Sequence, residues 1–212
     1  MILPEIREGQ IESPNAPTFP RDLRIKNFDD PPPAQSGRVL VGEMLLPFFL
    51  VKDRAHSANW QIENSPYYKF SREQFWKRVY YKQWNGSRTE SKVTKIVVGM
   101  TETARKEVED CLAVSVSADF GFKYHGAAFG IRGEIESRLK VNTSYSSQLV
   151  EETTITHSVE YSPGSRFCEA FWVLVDRYTV WRTGESHPLY EWDILREDVI
   201  LEDIHRDAKL SS

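Results

Sequence analysis

Paired carboxylates at two-residue spacing are the first residues in this 212-residue chain that could do chemistry. Glu134 and Glu136 form such a pair. Alternate positions of a strand share one face, and two carboxylates facing a sugar bond are the equipment of a glycosidase. Arg132, Arg138 and Lys140 stand beside them, however, so the group reads as a solvated, salt-paired face. The histidines, His56, His125, His157, His187 and His205, show neither HxxxH nor HExxH spacing, which argues against zinc. There is no GxSxG, Walker loop or GxGxxG motif, and Gly121, Gly126, Gly130 and Gly133 do not open a helix that could cradle phosphate. Cys111 and Cys168 lack metal-ligand spacing and read as two buried free thiols, with a disulfide between them as the alternative. The expectation is no enzyme, no cofactor and no metal.

What remains is chemistry of surfaces. From 112 to 125 the chain alternates strictly. Leu112, Val114, Val116, Ala118, Phe120, Phe122 and Tyr124 occupy one face; Ser115, Ser117, Asp119, Lys123 and His125 are on the other. After the apolar tip 126–130, which includes Phe129, the phase reverses. Ile131, Ile135, Leu139 and Val141 are now the apolar set, against Arg132, Glu134, Glu136, Arg138 and Lys140. Ordinary strands average about 5–6 residues, whereas a strand that crosses a bilayer needs roughly 9–11. Both arms exceed that length, and their polar face mixes both charge signs with Ser, Gly and Asn, as a water-filled lumen tolerates. The tip lacks the Asn, Asp or Pro of a surface turn. An ordinary sandwich strand also alternates. Arm length, lumen-like polar face and oily tip together point to a hairpin over 112–143 with a membrane-facing and a lumen-facing side.

Composition sets the frame for that hairpin. With 40% hydrophobic and 12% aromatic residues the chain can bury a core, and a formal charge of −4 leaves no basic footprint for nucleic acid. No run approaches the ~18 apolar residues of a transmembrane helix. Met1–Ile6 lacks a secretory pattern. The expectation is a protein secreted or released, without a signal, after lysis, or with a leader outside this sequence, and soluble until inserted into a target-cell membrane.

The elements that must position the hairpin follow from the rest of the sequence. Pro4, Pro14, Pro17, Pro20, Pro31, Pro32 and Pro33 crowd the first 38 residues, which predicts an extended N-terminal arm over 1–37. It is a candidate pro-segment, with Arg21, Arg24, Lys26 and Arg38 as candidate activation cleavage points. Residues 38–212 are expected to form one elongated β pore-forming domain. Arg38–Val51 is strand-like, with Pro47 marking a bulge or an edge. Tyr67, Tyr68, Phe70, Phe75, Trp76, Tyr80, Tyr81 and Trp84 are interleaved with basic residues. This suits a strand, or a short helix opened by Ser71 and Gln74; Tyr67, Tyr68, Trp76, Tyr80, Tyr81 and Trp84 make a candidate membrane-surface patch. Lys92–Thr103 and the Ser/Thr-rich Thr143–Ser162 bracket the hairpin as an outer strand pair. Phe167–Trp181 is the most hydrophobic strand, expected to be central, and Tyr190–Ile204 fits a helix only loosely through Trp192, Leu195 and Val199.

This order of Ser/Thr-rich strands, amphipathic hairpin, Pro163-Gly164 break and aromatic strand resembles the aerolysin-like β-pore-forming toxin family. Glu151–Val175, and Trp192-Asp193 followed after five residues by Val199–Asp203, are similar to its monalysin-type insecticidal members. The resemblance spans roughly residues 60 to 205. It implies a mainly β fold, an elongated twisted antiparallel sheet, an activating protease, a homo-oligomeric ring on target-cell membrane lipid and one inserted hairpin per subunit. The chain is small for that family, so no particular glycan receptor is implied. A ring is also demanded physically, because a lone hairpin in lipid leaves its edge N–H and C=O groups unpaired. The alternative reading is a soluble β-sandwich module that binds a glycan or protein through Tyr67–Trp84.

Overall fold

The computed structural model describes residues 7–11, 17–86, 89–100, 103, 111, 153–161 and 166–206. Their framework is a seven-stranded antiparallel sheet in the order β1-β2-β3-β6-β7-β4-β5. The strands are β1 (Arg7–Ile11), β2 (Val39–Pro47), β3 (Tyr67–Trp84), β4 (Glu90–Met100), β5 (Thr153–Tyr161), β6 (Phe167–Arg182) and β7 (Tyr190–Arg206). A short helix, α1 (Ala58–Asn64), is capped by the Ser57 hydroxyl accepting from the Trp60 N–H at 3.3 Å.

β6 is central, as its composition predicts. Cys168 to Asp176 are all buried, which only a strand covered on both faces tolerates. Its neighbours are β3, in register from Tyr68↔Arg182 to Trp84↔Phe167, and β7, from Phe167↔Arg206 to Val180↔Tyr190. Residues 67–84 are therefore one strand of 18 residues and not a helix. Residues 190–206 are likewise a strand and not the loose helix that their apolar positions suggested. The period-two pattern of β7 is interrupted where the register slips opposite Val173–Val175, so Trp192, Leu195 and Val199 imitate a helical spacing. β2 has its bulge between Leu40 and Gly42, and Pro47 ends it.

The long strands give the sheet two faces. The front face carries two separate apolar clusters. One joins Met44, Leu46, Tyr68, Phe70, Tyr178, Val180, Trp192 and Ile194 and includes Cys111. The other joins Trp76, Cys168, Ala170, Trp172 and Leu174 with Leu23 and Ile25 from the N-terminal arm. Between them lies a buried polar belt, where the Asp176 carboxylate accepts from Arg72 at 2.9 and 3.0 Å and from Gln74 at 2.7 Å. On the back face Phe171 and Val173 meet Ile96 and Val98 of β4. Both cysteines are free thiols, buried in different clusters.

Candidate functional site

β4 and β5 form the root of the segment 101–152. They pair without a break from Glu90↔Tyr161 to Val98↔Thr153, so the two strands on either side of the enclosed segment run side by side up to Val98 and Thr153. That is the nesting expected of an outer strand pair around a hairpin. The root is joined to the main sheet by a narrow seam, Gly99↔Leu195 and Met100↔Ile194. Gly99 has φ of 97°, a conformation that costs a side-chain-bearing residue strain, and it marks where β4 changes partner from β5 to β7. Ile96 and Val98 hold the root down on Phe171, Val173, Leu195 and Ile200. Val93, on the opposite side of β4, is 60% exposed.

The hairpin residues themselves, Leu112 through Val141 on both the membrane-facing and lumen-facing sides, lie outside the described residues. The four candidate cleavage residues are described, and all are exposed. Arg21 begins a 3-10 turn ending at Leu23. Arg24 reaches the Asp203 carboxylate at 3.2 Å. The residues between them are anchors: Leu23 is fully buried and Ile25 nearly so. Arg38 lies 3.6 Å from Glu73 and over the Phe75 ring, flanked by exposed Gly37 and Val39.

The arm is thus extended, as its prolines dictate, and it is also docked. The Trp76 indole donates to the Pro17 carbonyl at 3.1 Å. Phe19 stands edge-on between Trp76 and Trp172, at 5.1 and 5.4 Å between ring centroids. The Ile25 N–H donates to Asp203 at 2.7 Å, and the Cys168 thiol donates to the Phe28 carbonyl at 3.5 Å. Arg166 Nη2 donates to both carboxylate oxygens of Asp29, at 2.9 and 3.0 Å. The strap then returns along β3, where Arg78 N–H donates to the Ala34 carbonyl and Ser36 N–H to the Trp76 carbonyl. Prolines have no N–H to satisfy, so an extended Pro-rich strap can cover apolar surface with few backbone partners. Phe19, Trp172 and Asp203 are the residues the sequence reasoning missed. The signal was there in Phe19, Leu23, Ile25 and Phe28, apolar residues too regular for a solvated linker.

The aromatic patch is corrected by the same geometry. Tyr68 and Trp76 are core residues, at 0% and 5% exposure, so they present no membrane surface. The others divide between the two faces, because residues an odd number apart on a strand point oppositely. Tyr81 packs with the front cluster that holds Trp172, and Tyr80 with the back cluster that holds Phe171. Tyr67 and Trp84 sit at opposite ends of β3, and both are half-buried. No single aromatic platform results.

A second buried charge fixes the cap over the first front cluster. Asp53 accepts from Nε and Nη2 of Arg182 at 2.6 and 2.9 Å, from the Tyr68 hydroxyl at 2.8 Å and from the Ala55 N–H at 3.0 Å. Burial opposes its ionisation, but the hydrogen bonds from Arg182, Tyr68 and Ala55 and the Arg182 charge outweigh it, and the carboxyl is held below its ordinary range. Burial and the Asp53 charge together push the Tyr68 hydroxyl well above its ordinary range.

Comparison with known proteins agrees with this architecture. A family model described as Insecticidal Crystal Toxin, P42, matches residues 39–207. Two proteins named binary larvicide subunit BinA from Lysinibacillus sphaericus are 30% and 29% identical over 201 residues, covering 93% of this chain and 51% of each relative. The chain therefore spans about half the length of the curated relatives it matches. The crystal structure of Cry35Ab1 superposes with a TM-score of 0.68 at 17% identity, over 92% of this chain and 53% of that one. At that identity the likeness is one of fold.

Proposed function

The chain belongs to the insecticidal crystal toxin family, and from that premise we propose that it is an insecticidal, cytolytic pore-forming toxin module. It acts in the aerolysin-like manner, assembling as a homo-oligomeric ring on target membrane lipid and inserting the 112–143 hairpin of each subunit into a shared barrel. The monalysin-type closing stretch, Trp192 to Asp203, lies in β7, the strand that anchors the hairpin's root. The observation that carries the reading is the continuous pairing of β4 with β5, which sets Val98 and Thr153, on either side of the span that contains the alternating segment, opposite each other. A hairpin needs that juxtaposition, and a ring of hairpins needs it from every subunit.

Residues 1–37 serve as a removable pro-segment and 38–212 as the pore-forming unit. The protein is released in soluble form, and a protease of the target activates it at Arg21, Arg24, Lys26 or Arg38. Arg38 is the best placed of these, because its neighbours on both sides are exposed while Arg24 and Lys26 flank buried Ile25. The larvicide subunits it resembles are named as parts of a binary toxin, and a second protein subunit is accordingly an expected partner beside further copies of this chain.

Dye release from liposomes tests the reading. The full chain and a chain starting at Gly37 are compared at matched concentration, each alone and with extract of target membranes. The truncated chain should release dye at lower concentration than the full chain. Failure of both to release dye under either condition would overturn the pore assignment, and equal potency would overturn the pro-segment.

A further inference from the structure

The first turn of the strap is seated as a peptide ligand is seated. Pro14, Pro17 and Pro20 recur every third residue, and a polyproline II helix has three residues per turn. Pro20 has φ −66° and ψ 140°, within that conformation. Its partner surface has the parts that recognise such segments, an aromatic groove with an indole donor aimed at a peptide carbonyl. Trp76 supplies both a ring and the N–H, which reaches the Pro17 carbonyl at 3.1 Å. Trp172 supplies the second wall, and Phe19 enters between them as the anchor. Arg24 then closes over the outer side of the Phe19 ring at 5.5 Å.

The seat is also incomplete. The Trp172 indole N–H is buried, at 0% exposure, and has no hydrogen-bond acceptor among the described residues. A buried donor left unpaired costs about 1–3 kcal/mol. The cis segment is tethered on both sides, by β1 pairing with β2 before it and by Ile25 on Asp203 after it. Those tethers fix its register against the groove. A segment free of one tether can shift and offer the Trp172 N–H a carbonyl.

We infer that the cleft between Trp76 and Trp172 is a peptide-binding site for a proline-flanked aromatic segment in polyproline II form. It is filled in cis by Pro17–Pro20; a cut between Arg21 and Lys26 releases one of the two tethers, and the cleft then takes the same segment of a second copy when the cis Phe19 lifts out. The inference builds on the proposed activation by cleavage, but its chemistry is peptide binding and is read without any membrane. A cut there does not by itself free the cleft, because β1 and the Phe19 anchor both lie upstream of it.

The test uses the full chain and a fluorescent synthetic peptide of residues 14–25. In Phe19→Ala protein, whose cis anchor is gone, fluorescence anisotropy should show saturable binding. The unaltered chain should bind at least tenfold more weakly, because the tethered segment competes at an effective concentration of order millimolar. A peptide carrying Phe19→Ala should lose at least tenfold, and Trp76→Phe protein, which keeps a ring but loses the N–H, should lose several-fold. Near-UV circular dichroism establishes that the variants keep their packing. If Phe19→Ala protein fails to fold, excess peptide on the unaltered chain must accelerate thiol labelling of Cys168 beneath the strap. Absence of saturable binding, or of that acceleration, overturns the inference. Equal binding of a Pro-rich peptide without an aromatic anchor overturns the second copy as occupant. Peptide binding with no liposome lysis would strike the pore reading alone.

Discussion

Replacing Asp203 by Ala should unlatch the strap without unfolding the sheet. The Asp203 carboxylate, 12% exposed, accepts from the Ile25 N–H at 2.7 Å and from Arg24 at 3.2 Å. A hydrogen bond to a charged group is worth about 1.5–3 kcal/mol. The Arg24 side chain is 55% exposed, so its share is at most about 1 kcal/mol after solvent screening. A loss of about 2 kcal/mol in strap docking multiplies the undocked population roughly 30-fold, at about 1.4 kcal/mol per tenfold. Cys168 reports that population, since it is fully buried and its thiol donates to the Phe28 carbonyl of the strap. Cys111 is the internal reference. It lies in the other front cluster, and burial pushes its thiol far above the ordinary range. Labelling by a thiol reagent in native buffer should therefore quicken about 30-fold at Cys168 and stay unchanged at Cys111, provided opening is local. Equal acceleration at both would mean global destabilisation, and an unchanged Cys168 rate would show that Asp203 does not hold the strap.

Three further outcomes are expected. Val116→Asp should abolish dye release while leaving the circular dichroism of the soluble protein unchanged, because a charge facing lipid near the midplane costs about 2–4 kcal/mol in every subunit; normal lysis by this variant would remove the hairpin from its assigned place. Asp53→Asn should destabilise the fold by about 3–5 kcal/mol at neutral pH, by removing the buried carboxylate that Arg182 holds at 2.6 Å and leaving it, among the described residues, only Glu185 at 3.9 Å. Because the folded carboxyl is held below its unfolded value, the contribution of Asp53 is complete above about pH 3.9 and is lost as pH falls through the folded value, so the variant should show a flatter acid branch in urea melts measured against pH. If the proposed polar face of the hairpin lines a lumen, Lys123, Arg132, Arg138 and Lys140 stand there against Asp119, Glu134 and Glu136, and 4 − 3 leaves one net positive charge per subunit. Weak anion preference is expected in asymmetric KCl; strong cation selectivity would refute the assigned faces.

Much of the fold was legible because it rests on local periodicity. The apolar run Phe167–Trp181 announced a strand covered on both faces, and it is the centre of the sheet. The Ser/Thr-rich flanks of the alternating segment announced an outer pair, and β4 and β5 pair in unbroken register. Where periodicity was interrupted the reading weakened. The slip in β7 made Trp192, Leu195 and Val199 look helical, since a bulge shifts every later side chain by one position.

The sequence by itself determined that this is a β protein with one long amphipathic segment, because alternation is written residue by residue and needs no partner to be read. Only the tertiary structure decided what the aromatic and proline-rich stretches do. Tyr68 and Trp76 are core, Tyr80 and Tyr81 join clusters on opposite faces, and Phe19 is an anchor between two indoles. An aromatic ring gains free energy on a lipid surface, in a glycan groove or in a protein core by the same loss of apolar area to water. Which of these it meets depends on residues more than 50 positions away, as the bond from Trp76 to Pro17 shows. No local pattern carries that information.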